Sequence, residues 1–239
     1  MLSKKKDIWI VISLCVLAFY IIFMIYPLGI LFKNAVIENN GSFTFAYFSK
    51  FLSKNYYFST IFNSFKVSLA ATALTLIIGT PLAYFYNMYK IKGKTFLQII
   101  IILCSMSAPF IGAYSWILLL GRNGLITNTL KNLTGFNVPS IYGFGGILLV
   151  LCMQLYPLVF LYVSGALRNI DNSLLEASEN MGCTGARRFF KIIIPLCIPT
   201  ILAAALMVFM RAFADFGTPL FIGEGYRTFP VEIYNQFMN

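Results

Sequence analysis

The chain alternates between long apolar runs and shorter polar segments. Five of the runs hold the roughly 20 apolar residues that a helix needs to cross a hydrocarbon core of about 30 Å. These predicted spans are Ile8–Phe32, Phe62–Tyr86, Phe96–Leu120, Ile141–Val163 and Ile192–Met210. The first run is too long for the apolar region of a signal peptide, and no small-x-small cleavage site follows it, so we expect it to remain as a span. The pattern predicts an all-α, polytopic bundle of transmembrane helices.

The composition places this bundle in a bilayer. Of the 239 residues, 59% are hydrophobic and only 11% are charged, whereas a soluble domain carries about 25% charged residues. Histidine is absent, and the five cysteines lie far apart without paired spacing. The sequence therefore predicts no metal site, no disulfide framework and no catalytic residues, and the cysteines are expected to act as small buried hydrophobes.

Basic residues indicate which side of the membrane each connection faces. One set of alternating connections holds Lys4, Lys5, Lys6, Lys90, Lys92, Lys94, Arg168, Arg187, Arg188 and Lys191, whereas the opposite loops hold Lys33, Lys50, Lys54, Arg122 and Lys131 over longer stretches. By the positive-inside rule the first set faces the cytoplasm, so the N-terminus is predicted to be cytoplasmic in a multi-pass plasma-membrane protein. This topology and attraction to anionic membrane lipid account for the formal charge of +10 without nucleic-acid binding.

The connection between the fourth and fifth spans has a helical plan of its own. Ser173 and Glu176 have the spacing of a capping box, which predicts a helix that begins near Ser173. Gly182 is placed to end this helix, because glycine accepts the left-handed conformation just after a C-terminus. A second helix is predicted to begin near Thr184 and to run into the fifth span.

The surface of the first of these helices allows two interpretations. Its apolar and small side chains are Leu174, Leu175, Ala177 and Ser178. They suit a helix that docks into a groove on another protein. They equally suit an amphipathic helix that rests on lipid.

The same connection resembles a known family. Its residues Glu176-Ala177-Ser178, Gly182, Ile192 and Ile194-Pro195 follow the spacing E-A-A-x3-G-x9-I-x-L-P of the EAA loop in binding-protein-dependent ABC importer permeases. Ser178 replaces the third alanine and Ile194 replaces the leucine, both mild changes in size. The resemblance covers roughly residue 62 to the end and implies the type I importer permease fold, with the first span as an N-terminal addition.

The resemblance also implies partners. In that family the EAA loop forms a coupling helix that seats in a cleft on a separate ABC ATPase subunit, and ATP-driven closure of two such subunits moves the spans between inward-facing and outward-facing states. Carried over to this chain, residues 168–195 form the coupling loop, and the ATPase contacts are Leu175, Glu176, Ala177, Ser178 and Gly182. Glu176 is expected to cap or orient the helix rather than perform chemistry. An external solute-binding protein and a second permease half, fused or separate, are the other implied partners.

The chain is not expected to be an enzyme or to bind a cofactor itself, since the partner subunit would bind ATP. Gly93-Lys94-Thr95 looks like the end of a phosphate-binding loop. That motif needs a glycine five residues before Gly93, and this position is Met88. The triplet also lies in a tight turn between two predicted spans.

The segment after the fifth span contains the other predicted site. Asp215 follows Arg211 by four residues, so one helical face could carry both as an ion pair. Charges at membrane depth usually face a cavity or each other, whereas a pair at the outer interface would simply be solvated. The sequence leaves these interpretations open. Arg211, Asp215 and Gly217 are predicted to lie near an external gate.

The segment that begins at Arg211 also bears on the substrate. It resembles the stretch before the last span in permeases for iron(III), spermidine/putrescine and 2-aminoethylphosphonate, nearest to the iron(III) members. Iron(III) is therefore the predicted substrate, with the other two as alternatives, although no metal-ligand spacing in the chain supports it. Permeases of this kind have a sixth span after this segment, and iron(III) members often fuse two halves, so the chain is expected to be the first half of a longer protein that lacks its sixth helix.

The predicted organisation has two parts. Residues 1–60 form an N-terminal transmembrane helix and an external loop, and residues 61–239 form a truncated importer transmembrane domain. A secondary carrier or channel is the alternative from a different class. It would work without an ATPase and would show titratable residues in mid-span, which are nearly absent here.

Overall fold

The computed structural model describes residues 2–37, 42–89, 92–106, 108–135 and 140–238, which form helices and no sheet. The chain divides into two units, Met1–Phe58 and Ser59–Asn239, whereas the sequence prediction drew the boundary after residue 60. The first unit contains α1 (Leu2–Tyr20), a π-helical turn (Ile21–Ile25), α2 (Tyr26–Val36) and α3 (Ala46–Ser53).

The second unit is built around three long helices, α4 (Asn55–Met88), α8 (Phe144–Arg168) and α11 (Ile194–Ala214). The shorter elements are α5 (Lys94–Ser105), α6 (Pro109–Leu120), α7 (Leu125–Thr134), α9 (Asn172–Asn180), α10 (Gly185–Arg188), a π-helical turn (Phe189–Ile193), α12 (Gly217–Ile222) and α13 (Phe229–Met238). Helix α10, the second π-helical turn and α11 continue one another as a single helix of 30 residues.

Four of the five predicted spans are confirmed as helices long and apolar enough to cross a membrane. Within the described residues they are Ile8–Val36, Asn55–Met88, Phe144–Arg168 and Gly185–Ala214. Most of these helices are longer than predicted. Hydropathy marks only the apolar part of a helix, whereas its backbone hydrogen bonds continue into the residues on either side. Lys90, one of the basic residues on which the predicted topology rests, lies outside the described residues.

The third predicted span, Phe96–Leu120, is not one straight helix. The structure breaks it into α5 and α6, and α5 makes an angle of 105° with the stretch Phe110–Leu133, which contains most of α6 and most of α7. Pro109 begins α6, and Ala108 before it is extended, with φ −66° and ψ 139°. Proline pushes the preceding residue out of the helical region, because its ring clashes with that residue's backbone. Pro109 therefore separates two helices where the sequence predicted one continuous span.

Two other prolines are accommodated by π-helical turns. Pro27 and Pro195 each follow such a turn, Ile21–Ile25 and Phe189–Ile193, and the N–H after each turn donates to the turn's first carbonyl. Proline lacks an N–H, and its ring clashes with the carbonyl four residues earlier. The wider turn moves that carbonyl away and keeps the neighbouring backbone groups bonded.

Helix α8 lies at the centre of the second unit. Of its most apolar stretch 56% is buried, against 28% for α4 and 22% for Gly185–Ala214. Its fully buried side chains include Ile147, Leu151 and Phe160, and it packs against α11, α5, α6 and α12. Helices in lipid associate through close van der Waals packing, so α8 is the element against which the others are positioned.

Helices α4 and α8 approach closely at Gly79. A Cβ added there would lie 2.8 Å from the Cβ and Cγ1 atoms of Val159 and 3.0 Å from the Tyr156 carbonyl oxygen. Nearby polar side chains on α4 bond within their own helix, as where the Thr72 hydroxyl donates to the Ser68 carbonyl at 2.7 Å. Small residues and internally bonded hydroxyls allow this close approach.

Gly79→Ala should therefore destabilise the bundle by about 1–3 kcal/mol, the usual range for inserting a methyl group into a packed core. Thermal unfolding of the detergent-solubilised protein and its abundance in membranes would both fall. Gly165→Ala in α8 is the matched control, because a Cβ there meets nothing within 4 Å. Equal unfolding temperatures for the two variants would contradict the prediction.

The segment after α11 is tied to the N-terminal parts of α4 and α8. The Phe229 N–H donates to Ser64 Oγ at 2.7 Å, and the Gly143 N–H donates to the Ile222 carbonyl at 2.8 Å. These bonds join residues distant in sequence. They hold α12 and α13 across one end of the second unit, next to the cavity described below.

Candidate functional site

The connection between α8 and α11 begins with a capped helix. Helix α9 starts at Asn172, and Asp171 is its N-cap, with Oδ1 accepting a hydrogen bond from the Ser173 N–H at 3.0 Å. This bond favours the ionised carboxyl group and holds the pKa of Asp171 below its usual value. The helix thus starts near the predicted position, but the predicted cap was wrong, since Asp171 and not Ser173 supplies it.

Gly182 ends α9 in the predicted left-handed conformation, with φ +72°. Its N–H donates to the Glu179 carbonyl at 2.9 Å, and the Cys183 N–H donates to the Ser178 carbonyl at 2.9 Å. These two bonds form a Schellman motif, which requires a left-handed residue at the Gly182 position. A Cβ at Gly182 would meet nothing within 4 Å, so the backbone conformation rather than the available space calls for glycine.

A second glycine and an ion pair complete the bend after α9. Gly185 has φ +56° and begins α10, with Thr184 as its N-cap, as predicted for the second helix. Arg188 Nη1 lies 3.7 Å from Glu179 Oε2, so an ion pair spans the bend. Glu179 is largely exposed, and such pairs contribute about 0–1 kcal/mol. The pair therefore orients α9 relative to α10 more than it stabilises the fold.

The inward face of α9 holds two of the five predicted ATPase-contact residues. Leu175 packs against the core of the second unit. Ser178 is 2% exposed, and its hydroxyl donates to the Leu175 carbonyl at 2.7 Å. Both side chains attach α9 to its own chain and do not reach its outer surface.

The outward face of α9 carries an apolar stripe, here called the exposed face, made of Leu174, Ala177 and Met181. Leu174 and Met181 are 51% and 78% exposed, and Ala177 is exposed between them. Spacings of three and four residues place them along one side of the helix. Glu176, also exposed, lies beside this stripe. The helix therefore presents apolar surface away from the protein that holds it.

A cavity of about 440 Å³ opens where α6, α8, α11 and the start of α12 meet. Its lining consists of Phe110, Leu151, Gln154, Leu155, Arg211, Ala214, Asp215, Phe216 and Gly217. The structure thus brings together the three residues predicted for an external gate, Arg211, Asp215 and Gly217. It adds the amide side chain of Gln154, which the prediction did not include.

Arg211 and Asp215 line this cavity without bonding to each other, and neither takes part in the ion pairs found among the described residues. The predicted ion pair assumed a continuous helix, but α11 ends at Ala214, and Asp215 has extended angles of φ −68° and ψ 122°. Asp215 Oδ2 instead accepts a hydrogen bond from the Thr218 N–H at 3.2 Å, in the first turn of α12. The two opposite charges therefore face one space separately.

Gln154 brings an unpaired acceptor to the same cavity. Its Oε1 atom is buried and has no hydrogen-bond partner within the described part of the chain. Gln154 lies about 15 Å from Phe144 along α8, which is one of the candidate membrane spans. This acceptor is therefore available to a donor group that enters the cavity.

Comparison with known proteins decides the family. Residues 75–239, well over half of the chain, match the profile of the binding-protein-dependent transport system inner membrane component. The matched stretch includes α9, its bend and the cavity. This chain belongs to that family. It is a multi-pass inner-membrane permease.

The permease is similar to transport proteins whose names give different substrates. It is 28% identical over 239 residues to the putative ferric transport system permease protein FbpB 1 of Haemophilus influenzae. It is 25% identical over 239 residues to the putative 2-aminoethylphosphonate transport system permease protein PhnU of Salmonella typhimurium. Each comparison covers 98% of the permease, but 38% of the former relative and 82% of the latter.

The permease also matches a solved structure. The crystal structure of a bacterial ABC transporter involved in the import of the acidic polysaccharide alginate aligns with a TM-score of 0.78, covering 98% of the permease and 85% of that chain. The identity is 19%, so the likeness concerns the fold alone. It confirms the predicted all-α fold of an ABC importer permease.

Two features of the permease's sites did not follow from the sequence reasoning. The Arg188–Glu179 pair joins residues across a bend, where no fixed spacing applies. Gln154 carried a usable signal, because it is the one amide side chain in the sequence of α8, and polar residues inside a span often face a cavity.

Proposed function

We propose that this permease is the membrane-spanning part of an ATP-driven importer that moves a solute from an external binding protein to the cytoplasm by alternating access. The observation that carries the proposal is α9, a capped helix with an outward apolar face, turned by a left-handed glycine inside a chain of this family. ATP hydrolysis belongs to separate ABC ATPase subunits. A second permease half, fused or separate, completes the pathway.

The coupling helix in this proposal is α9. Its exposed face enters a cleft on the ATPase subunit, with Glu176 beside it, and Gly182 sets its direction. Leu175 and Ser178, which the sequence also assigned to this contact, instead hold the helix against the permease. Helix α9 contains Glu176 and Glu179 and no basic residue. A helix that rests on anionic lipid has a basic polar face, so this composition favours the protein groove.

The continuous helix Gly185–Ala214 links the coupling loop to the cavity. Its 30 residues correspond to a length of about 45 Å. A movement of α9 passed through the bend would therefore reach Arg211, in the last turn of α11. We assign Arg211, Asp215 and Gly217 to the external end of the solute pathway on this basis.

The topology in this proposal places the N-terminus and the coupling loop in the cytoplasm. With the five native cysteines replaced, Lys92→Cys should resist a membrane-impermeant maleimide in intact cells and react after permeabilisation, because position 92 lies in a cytoplasmic turn. Lys131→Cys, in α7, which is assigned to the external side, is the matched control and should react in intact cells. Labelling of position 92 in intact cells would show that the orientation is the opposite of the one proposed.

The substrate is the finer part of the proposal. Iron(III), the sequence prediction, stands beside 2-aminoethylphosphonate and spermidine/putrescine, and similarity to relatives named for each of these substrates supports all three. In the described residues no group of three or more His, Cys, Asp and Glu side chains could hold a metal ion. Support for iron(III) therefore rests on resemblance and not on a ligand group found in the described part of the chain.

Purification of the intact complex from membranes tests the function directly. An ATPase subunit should co-purify, and uptake into proteoliposomes should require ATP and the external binding protein. A secondary carrier would instead transport its solute without ATP and without an ATPase subunit. That second result would overturn the proposal.

A further inference from the structure

The chemistry of the cavity between α6, α8, α11 and α12 points to a class of ligand, provided that the chain is an importer permease as proposed above. Arg211 and Asp215 both line this cavity of about 440 Å³ without pairing with each other. Charged side chains in membrane proteins usually pair with one another or face a cavity. Here each charge is left facing the open space.

The hydrogen-bonding groups that line the cavity likewise include both donors and acceptors. Arg211 supplies up to five N–H donors in a planar fork, which suits an oxyanion held by two parallel bonds. Gln154 Oε1 is an acceptor without a partner. Asp215 accepts hydrogen bonds from the Thr218 N–H at 3.2 Å and from the Gly217 backbone, and a carboxylate has lone pairs for further donors. The cavity thus presents N–H donors from Arg211 and acceptors from Gln154 and Asp215.

Two aromatic rings also suit a positively charged group of a ligand. Phe110 and Phe216 both line the cavity, with ring centroids 6.0 Å apart. The faces of aromatic rings attract ammonium groups. We propose that this cavity binds a small zwitterion that carries an oxyanion and an ammonium group, with Arg211 on the oxyanion and with Asp215, Gln154 and the two rings around the ammonium group.

The same residues disfavour the two other substrate classes. A polyamine brings positive charge only, and in this cavity it would meet the Arg211 guanidinium, whose like charge repels it. A bare ferric ion needs several oxygen ligands, and Asp215 is the one carboxylate in the lining. A zwitterion leaves neither Arg211 nor Asp215 without a counter-charge.

The test measures binding to the intact complex in lipid nanodiscs, without the external binding protein, whose own selectivity would otherwise decide the result. Phosphorus NMR line broadening reports weak binding of two probes. These are 2-aminoethylphosphonate, which carries both groups, and ethylphosphonate, which lacks the ammonium group. Binding of the first probe should be about ten-fold tighter, the effect of one hydrogen bond to a charged group.

Variants separate the two halves of the ligand. Arg211→Gln should weaken binding of both probes by about ten-fold or more, and Arg211→Lys should recover part of it. Asp215→Asn should weaken the binding of 2-aminoethylphosphonate to the level measured for ethylphosphonate. The asparagine side chain can still accept the hydrogen bond from the Thr218 N–H. Lys131→Gln removes a charge outside the cavity and should bind both probes as the unmodified complex does.

Three results would overturn the proposal. They are equal binding of the two probes, binding that Arg211→Gln leaves unchanged, and displacement of 2-aminoethylphosphonate by spermidine at equal concentration. Failure of the importer assignment looks different, since the ATPase subunit would not co-purify. If it does co-purify and drives uptake of another solute, the zwitterion site alone is wrong.

Discussion

Gly182→Asp is expected to reduce uptake by about ten-fold or more while leaving the amount of permease in the membrane close to normal. The aspartate would need the left-handed conformation of Gly182, at φ +72°, which costs a residue with a side chain about 1 kcal/mol. This is too little to unfold the bundle. It is enough to open the Schellman motif and to redirect α9, so force from the ATPase would no longer reach the continuous helix.

Two controls isolate this effect. Gly93→Asp introduces the same strain in another turn, at φ +79° and with open space around the added Cβ, and should leave uptake near normal. Gly182→Asn should retain more uptake than Gly182→Asp, because asparagine occurs at this position after helices and lacks the negative charge that is unfavourable at a helix C-terminus. Normal uptake by Gly182→Asp at normal abundance would remove the coupling role of this loop.

Ala177→Arg is expected to separate the permease from its ATPase subunit. Ala177 lies in the middle of the exposed face, and arginine is a good helix former, so α9 itself should persist. A long charged side chain placed in a close-packed apolar contact leaves its charge unpaired or keeps the surfaces apart. Association should weaken by about ten-fold or more, the usual result of damage at the centre of an interface.

Co-purification of the ATPase with tagged permease measures this loss, alongside membrane abundance. Asn132→Arg in α7 is the matched control, since it adds the same charge at an exposed helical position outside the coupling loop. If the Ala177→Arg permease recovers the full amount of ATPase, the contact lies elsewhere. The interpretation of α9 as a helix that rests on lipid would then be favoured.

Much of the architecture could be predicted because it depends on local properties. Apolar length alone selects segments that cross a bilayer, so the helices around Ile8–Phe32, Phe62–Tyr86, Ile141–Val163 and Ile192–Met210 were recognisable. The end of α9 was equally local, since a left-handed position after a helix favours glycine, and Gly182 has φ +72°. In both cases the relevant energy is set within a few residues.

The exceptions depended on local geometry that hydropathy does not register. Phe96–Leu120 is apolar throughout, yet Ala108 before Pro109 is extended and the span is broken there. The four-residue spacing of Arg211 and Asp215 suggested an ion pair, but the helix ends at Ala214 between them. A periodic rule applies only while the helix continues, and the sequence pattern did not show where it stopped.

By itself the sequence determined that this is a membrane-embedded helical permease with a glycine-terminated helix between its last two predicted spans. Only the tertiary structure decided which side of that helix faces outward, and that Gln154, Arg211 and Asp215 share one cavity. Leu174 and Leu175 are adjacent and identical, yet Leu174 is exposed and Leu175 packs against the core. The environment of such a side chain is set by helices distant in sequence, and no local pattern contains that information.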